Sequence, residues 1–241
     1  MLPMRDKDDA IPRLDDLDPQ LLAVLESAAR LQELVPDAVL VGGTAAALYA
    51  RHRLSEDHDH VVADLRDRFD LVLDALEREP DWVTNRVTAG KIVLGQIGEI
   101  ESGVRQLIRK TPLETQALEL PSGRTLVVPT PEETLRTKAF LLVKRNQVRD
   151  YLDVAALSER YGIPFAAQTL GDMDRFYADE TVQGMPVSSQ VTRQLGEPRP
   201  ADTATLKSLH VYKGLGLRWQ EWSNVVQTCR DVAAAMVNAD G

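Results

Sequence analysis

Residues 39–62 read VLVGGTAAALYARHRLSEDHDHVV, and the fold is decided by how this stretch is parsed. Ala38 to Val41 is short and apolar, as a buried strand would be. Gly42-Gly43 follows as a turn, and Thr44 to Ala50 is a strong helix former. Glycines between a strand and a helix let backbone approach a ligand closely. The helix N-terminus beyond them offers unpaired N–H groups and a positive dipole end to an anion such as phosphate. In the next extended segment Ser55, Asp57 and Asp59 share one face, while Glu56, His58 and His60 share the other. Two carboxylates on alternate residues of one strand repel each other unless a cation lies between them. Magnesium, a hard ion that takes oxygen ligands and keeps room for phosphates, suits that position, with manganese as the alternative. An exposed acidic edge strand would also tolerate Asp-x-Asp; the Gly-Gly turn and helix in front tip the reading toward an anion-and-metal site. His58-x-His60 invites zinc, but no cysteine and no third matching ligand lies nearby, so a packed or surface pair is the expectation.

Outward from this stretch, Asp18-Pro19 has the form of an N-cap with proline at the first helical position. Leu21, Leu22, Leu25, Ala28, Ala29 and Leu31 recur at helical spacing, which predicts an amphipathic helix over 19–34. Residues 1–18, with Pro3 and Pro12, read as a loose arm. A helix is expected over 65–79, then strands over 82–87, 91–100 (broken at Gly95 and Gly98), 104–108, 117–120 and 125–128, with PSGR at 121–124 as a turn. Thr130-Pro131-Glu132-Glu133 opens a helix bearing Lys138 and running to Lys144. A break over 145–148 precedes a helix over 149–161 that carries Asp150 and Asp153. Beyond it come a short helix over 170–177, a loop-rich connection over 183–201, and a last helix holding Leu217, Trp219, Trp222, Val225, Cys229, Val232 and Met236. The apolar spacing of that helix makes Cys229 a core residue. The expected fold is α+β: a mixed sheet flanked by helices over 19–130, with a mainly helical region over 131–241.

The 241 residues carry a net charge of −9, unfavourable for nucleic acid, but the charge is uneven. Residues 1–81 hold 9 Lys/Arg against 19 Asp/Glu, residues 82–149 hold 11 against 6, and the remainder 8 against 12. The middle third is a basic island able to receive an anionic substrate. One cysteine excludes an internal disulfide and a cysteine-rich metal site. No apolar run reaches the ~20 residues of a membrane span, and the charged start is no signal peptide, so a cytoplasmic protein is expected.

The combination resembles the nucleotidyltransferases, and more narrowly the AbiEii/AbiGii branch that includes MenT-type toxins of bacterial toxin–antitoxin pairs. Three blocks carry the resemblance: GGTAAALYARHRLSEDHD (42–59), VVPTPEETLRTKAFLLVKR (127–145) and RDYLDVAAL (149–157). The resemblance implies metal binding at Asp57 and Asp59, a functional lysine at Lys138, and a later acidic motif at Asp150 and Asp153. Gly42, Gly43, Thr44 and Ser55 would hold the phosphates of a nucleoside triphosphate. Asp153 or Asp150 would polarise the acceptor hydroxyl or orient Lys138. A third carboxylate on a neighbouring strand is common in this superfamily; Glu99 and Glu101 are the candidates, and neither sits in a recognisable motif.

Three functions follow as alternatives. The first is a toxin that adds nucleotides to the 3′ end of tRNA, its RNA backbone received by Lys91, Arg105, Arg109, Lys110, Arg145 and Arg149, and its activity opposed by an antitoxin protein. The second transfers a nucleotide to a protein or small molecule, which suits the overall acidity. The third is a nucleotidyltransferase-like binding partner without catalysis.

Overall fold

The computed structural model describes residues 14–180, 184–212 and 214–239; most of the expected N-terminal arm, residues 1–13, lies outside them. The chain divides into two compact units. One comprises Met1–Tyr49 with Ser55–Pro131, the other Ala50–Leu54 with Glu132–Gly241.

The first unit opens with helix α1, Pro19–Leu34. The Asp18 carboxylate accepts from the Gln20 N–H at 2.8 Å, satisfying one of the donors that a helix start leaves open. Its buried residues, Leu21, Val24, Leu25, Ala28, Ala29 and Leu31, form one stripe. Strand β1 (Val39–Val41), helix α2 (Gly42–Ala50), strand β2 (Asp57–Val62) and helix α3 (Phe69–Glu77) follow, then β3 (Trp82–Thr88), β4 (Ile92–Ile97) and β5 (Ile100–Gln106). These strands make one sheet in the order β1-β2-β5-β4-β3, with β2 and β5 parallel and the other pairs antiparallel. The sheet is therefore mixed, as expected.

Alternation along the strands separates its two faces. His58, His60, Val62, Val93, Ile97, Ser102 and Val104 are buried on one. Most of them join residues of α1 and α3 in a core that includes Leu31, Phe69, Val72, Leu76 and Trp82. The opposite face carries Asp57, Asp59, Glu101 and Arg105, because the parallel register sets Asp57 beside Glu101 and Asp59 beside Gly103. A two-stranded sheet, β6 (Thr115–Glu119) with β7 (Thr125–Pro129), completes the unit. The Gln32 side chain pairs with the backbone of Val127 on β7, and the Tyr49 hydroxyl donates to the Pro129 carbonyl at 2.5 Å.

Three local expectations shift. Gly42-Gly43 is not a free-standing turn: the glycines are the first residues of α2, and Gly42 turns the chain at a φ of +78°, a conformation that side-chain-bearing residues rarely adopt. The helix expected over 65–79 begins only at Phe69, since residues 63–68 form turns held by the Asp64 carbonyl. Gly95 does not interrupt β4. A Cβ there would fall 2.4 Å from the Trp82 ring, so the glycine makes room for the indole.

The second unit holds α4 (Pro131–Arg145, its first residue counted with the first unit), α5 (Val148–Tyr161), α6 (Ile163–Gly171), α7 (Val187–Gly196) and α8 (Trp222–Ala239). The expected break between α4 and α5 is present. Asn146 takes a φ of +51°, donates to the Arg199 carbonyl and accepts from the Tyr151 hydroxyl. The connection expected over 183–201 contains α7 (residue 183 itself lies outside the described residues). Pro186 stands at its N-cap and Gly196 at its last residue, so they bound a helix rather than break one. In place of a helix over 170–177, α6 runs to Gly171 and a 3-10 turn follows over Asp172–Arg175. The last helix starts at Trp222, after a 3-10 turn over Leu217–Gln220 in which Trp219 is buried and Leu217 is exposed. Cys229 is fully buried in α8. Among the described residues no helix is long and apolar enough to cross a membrane.

Candidate active site

In the first unit, the residues read from the sequence gather around the two aspartates of β2. Thr44, in the first turn of α2, lies with its hydroxyl 2.9 Å from Ser55 Oγ and donates to the Asp57 main-chain carbonyl. Ser55, fully buried, donates in turn to Asp57 Oδ1 at 3.3 Å. These contacts fix the approach to β2 and the orientation of its first carboxylate. Asp59 lies against the start of α2, where a Cβ on Gly42 would be 3.6 Å from its Oδ2. The positive end of the helix is thus beside a carboxylate, the favourable sense.

Two residues of β5 shape Asp59 from the other side, and sequence reading assigned neither this role. Arg105 donates from Nε to Asp59 Oδ1 at 3.2 Å. At Gly103 a Cβ would stand 2.6 Å from Asp59 Oδ1, so the missing side chain is what lets the carboxylate lie across the neighbouring strand.

Both carboxylates are partly exposed, and among the described residues the Oδ2 of each has no hydrogen-bond partner. Two reachable carboxylate oxygens on one face, with the imidazoles of β2 on the other, fit a hard divalent cation that completes its shell with water and phosphate. Glu101 shares this face opposite Asp57, whereas Glu99 lies in the β4–β5 connection. Among the described residues no group of three or more His, Cys, Asp or Glu is placed to hold a metal.

His58 and His60, on the other face of β2, are core residues. Their rings meet edge-on at 5.2 Å, and His58 Nε2 lies 3.0 Å from the hydroxyls of Ser27 and Ser102. Burial pushes the His58 pKa down to about 4, against the opposing pull of Asp57, and holds His60 well below the ordinary histidine range. Both are neutral packing groups, in keeping with the expectation of a packed pair over zinc.

The second unit holds a separate cluster, fully buried, on Asp153 of α5. Lys138 Nζ of α4 is 2.6 Å from Asp153 Oδ2. Helical phase could not unite these two across the break at Asn146; tertiary packing does. Arg53 straddles the same carboxylate, Nε to Oδ1 at 2.9 Å and Nη2 to Oδ2 at 3.1 Å, and His52 Nε2 reaches Oδ1 at 2.7 Å. Burial alone would raise the Asp153 pKa, but the Arg53 guanidinium, the Lys138 ammonium and the His52 hydrogen bond outweigh it and hold the group well below the usual carboxylate range. Burial lowers the pKa of His52 against the pull of Asp153, so His52 donates as a neutral ring. Sequence reading gave His52 and Arg53 no role. The available signal was a His-Arg pair separated by Leu54 from the Ser-x-Asp-x-Asp run.

The remaining candidates are placed differently. Asp150, also fully buried, takes both of its oxygens to Arg145, at 2.7 and 2.6 Å. Arg109 is buried and ties down the carbonyls of Thr111 and Pro112. Lys91, Lys110 and Arg149 are exposed, Arg149 with a hydrogen bond to Gln147.

Comparison with known proteins gives the family and the fold. The family model described as "Nucleotidyl transferase AbiEii toxin, Type IV TA system" matches residues 23–222. A crystal structure of a putative nucleotidyltransferase from H. pylori aligns over 93% of this chain and 98% of its own, with a TM-score of 0.52 and 16% identity, a likeness of fold. Among curated sequences, the chain is 28% identical over 242 residues to the mycolic acid-containing lipids exporter MmpL11 of Mycolicibacterium smegmatis, covering 95% of this chain and 23% of that protein. It is 30% identical over 235 residues to the heme uptake protein MmpL11 of Mycobacterium tuberculosis, covering 89% and 22%. The chain therefore spans under a quarter of the length of these relatives.

Proposed function

Because the chain belongs to the AbiEii family of nucleotidyltransferase toxins, we propose that it transfers a nucleoside monophosphate from a nucleoside triphosphate to an RNA acceptor, the 3′ end of tRNA. The reaction depends on magnesium, manganese being able to replace it, takes place in the cytoplasm, and is restrained by a cognate antitoxin. One observation carries the reading: Asp57 and Asp59 present two reachable carboxylate oxygens on one sheet face, at the N-terminus of a glycine-initiated helix.

Asp57 and Asp59 would hold the metal, which supplies charge neutralisation and in-line orientation of the triphosphate. The N-terminus of α2, through Gly42, Gly43 and Thr44, receives the β- and γ-phosphates. Ser55 keeps Asp57 pointed toward them through its hydrogen bond. The acceptor hydroxyl oxygen bonds to the α-phosphorus as the bond to the β-phosphate oxygen breaks; pyrophosphate leaves and the hydroxyl proton passes to solvent. Lys138 is retained as a catalytic candidate on the strength of the family's lysine, its Nζ held 2.6 Å from Asp153. Of the basic residues, Lys91, Lys110 and Arg149 are exposed and suited to an RNA backbone, while Arg105, also exposed, is paired with Asp59. Arg109 and Arg145 already serve loop and helix contacts.

The test is incubation with magnesium, each labelled triphosphate in turn, and total tRNA or cell lysate. Labelled tRNA supports the reading, and Asp57→Ala and Lys138→Ala must abolish the label. Label on a protein or small molecule would move the acceptor to another class. No transfer from a folded protein would leave a binding role toward the antitoxin.

A further inference from the structure

We propose that His52 and Arg53 are positioning residues that aim Lys138 through Asp153, and that Asp153 is not the base for the acceptor hydroxyl. The inference rests on the nucleotidyl-transfer reading and assigns work within it. A carboxylate offers about four lone-pair directions, and four donors occupy those of Asp153: His52 and Arg53 Nε on Oδ1, Arg53 Nη2 and Lys138 on Oδ2. A general base needs an open lone pair facing the proton it takes; Asp153 has none.

What the cluster does instead follows from the shapes of the donors. A guanidinium bound side-on fixes the plane of the carboxylate, because its two N–H bonds are rigid and parallel. His52 then closes the outer edge of Oδ1. Its other ring nitrogen, Nδ1, is buried without a partner among the described residues, so Asp153 alone orients the ring. The direction left on Oδ2 is the one that Lys138 takes. An ammonium on a four-carbon stem has no preferred direction of its own; here it inherits one. Asp150 gives α5 no substitute base, since Arg145 covers both of its oxygens.

The experiment compares the parent chain with His52→Gln, His52→Leu and Arg53→Lys, each checked for folding by circular dichroism. Gln can donate an N–H to Oδ1 as His52 does; Leu cannot, and Lys at 53 keeps the charge but loses the fork. Two measurements are made. In a proton–nitrogen correlation spectrum of lysine ammonium groups, the buried Lys138 signal is identified by its absence from Lys138→Arg. The signal is expected to persist in His52→Gln and to broaden away in His52→Leu and Arg53→Lys. In transfer assays, His52→Gln keeps kcat within about two-fold, while His52→Leu and Arg53→Lys lose about ten-fold or more with little change in KM for the triphosphate, the cost of a misaimed group. Folded His52→Leu and Arg53→Lys proteins with the parent's ammonium signal and kcat would overturn the inference. A parent protein that transfers nothing would instead refute the catalytic reading, and the ammonium spectrum would still decide whether His52 and Arg53 aim Lys138.

Discussion

Lowering the pH from 7 to 5 removes stability from the first unit through the two histidines in its core. The sign follows from linkage. His58 titrates at about 4 in the folded protein because burial disfavours its charged form, against an ordinary 6.5. Between those values the unfolded chain binds a proton that the folded one refuses. Stability is therefore complete above 6.5 and lost as the pH falls toward 4. Integrated from pH 7 to pH 5, the loss for His58 is about 2 kcal/mol. His60, fully buried, facing the Ala28 backbone and with neither ring nitrogen in a normal hydrogen bond, acts in the same direction. Its loss falls in the same window, as the pH drops below the ordinary histidine value. A small domain has only some 5–15 kcal/mol in hand, so the combined loss is large. The assay is urea unfolding at pH 7, 6 and 5, read from Trp82 fluorescence in a Trp219→Phe, Trp222→Phe background, which isolates the first unit. His60→Leu removes one titrating group and two unsatisfied nitrogens from the core. It is expected to match the parent at pH 7 within about 1.5 kcal/mol, as near-isosteric core changes do, and to lose markedly less between pH 7 and 5. Equal losses in parent and variant would refute the reasoning.

Other consequences are narrower. Gly103→Ala places a methyl 2.6 Å from Asp59 Oδ1 and 3.0 Å from Leu94 Cδ2; manganese binding, read by electron paramagnetic resonance, should weaken about ten-fold with the circular dichroism unchanged. Asp150→Asn breaks a two-point contact with Arg145 and is expected to cost about 1.5–3 kcal/mol in chemical denaturation, the range for hydrogen bonds to charged groups. Transfer per folded molecule should persist. The Cys229 thiol is fully buried, and burial pushes its pKa up, so alkylation by iodoacetamide is expected only at the rate of unfolding, followed by mass spectrometry.

What the sequence disclosed divides along a physical line. Local signals were legible: the Asp18-Pro19 start of α1, the alternation that puts Asp57 and Asp59 on one face, and the break at Asn146. Each is a matter of a few adjacent residues and their allowed conformations. The family too was legible, from three short blocks, and its match reaches well into the second unit. Contacts between distant residues were not. That β5 returns parallel to β2, with Gly103 yielding space to Asp59 and Glu101 facing Asp57, depends on a pairing across some forty residues that no local pattern states. The helix α7 was hidden because Pro186 and Gly196 read alike as breakers and as boundaries until the chain between them packs.

His52 and Arg53 mark the limit most sharply. Beside an acidic strand they look like solvated charges, and their partner lies a hundred residues away. The structure turns the reading of ARHRLSEDHD around. Ala50 to Leu54 belongs with the second unit and Ser55 to Asp59 with the first. One ten-residue run thus supplies both the donors that saturate Asp153 and the hydroxyl and carboxylates of the metal-type site. Its first half answers to the Asp153 cluster and its second half to the β2 carboxylates, each within its own unit. Asp-x-Asp was readable because it serves a single strand. His52 and Arg53 became readable only once the Asp153 cluster was visible.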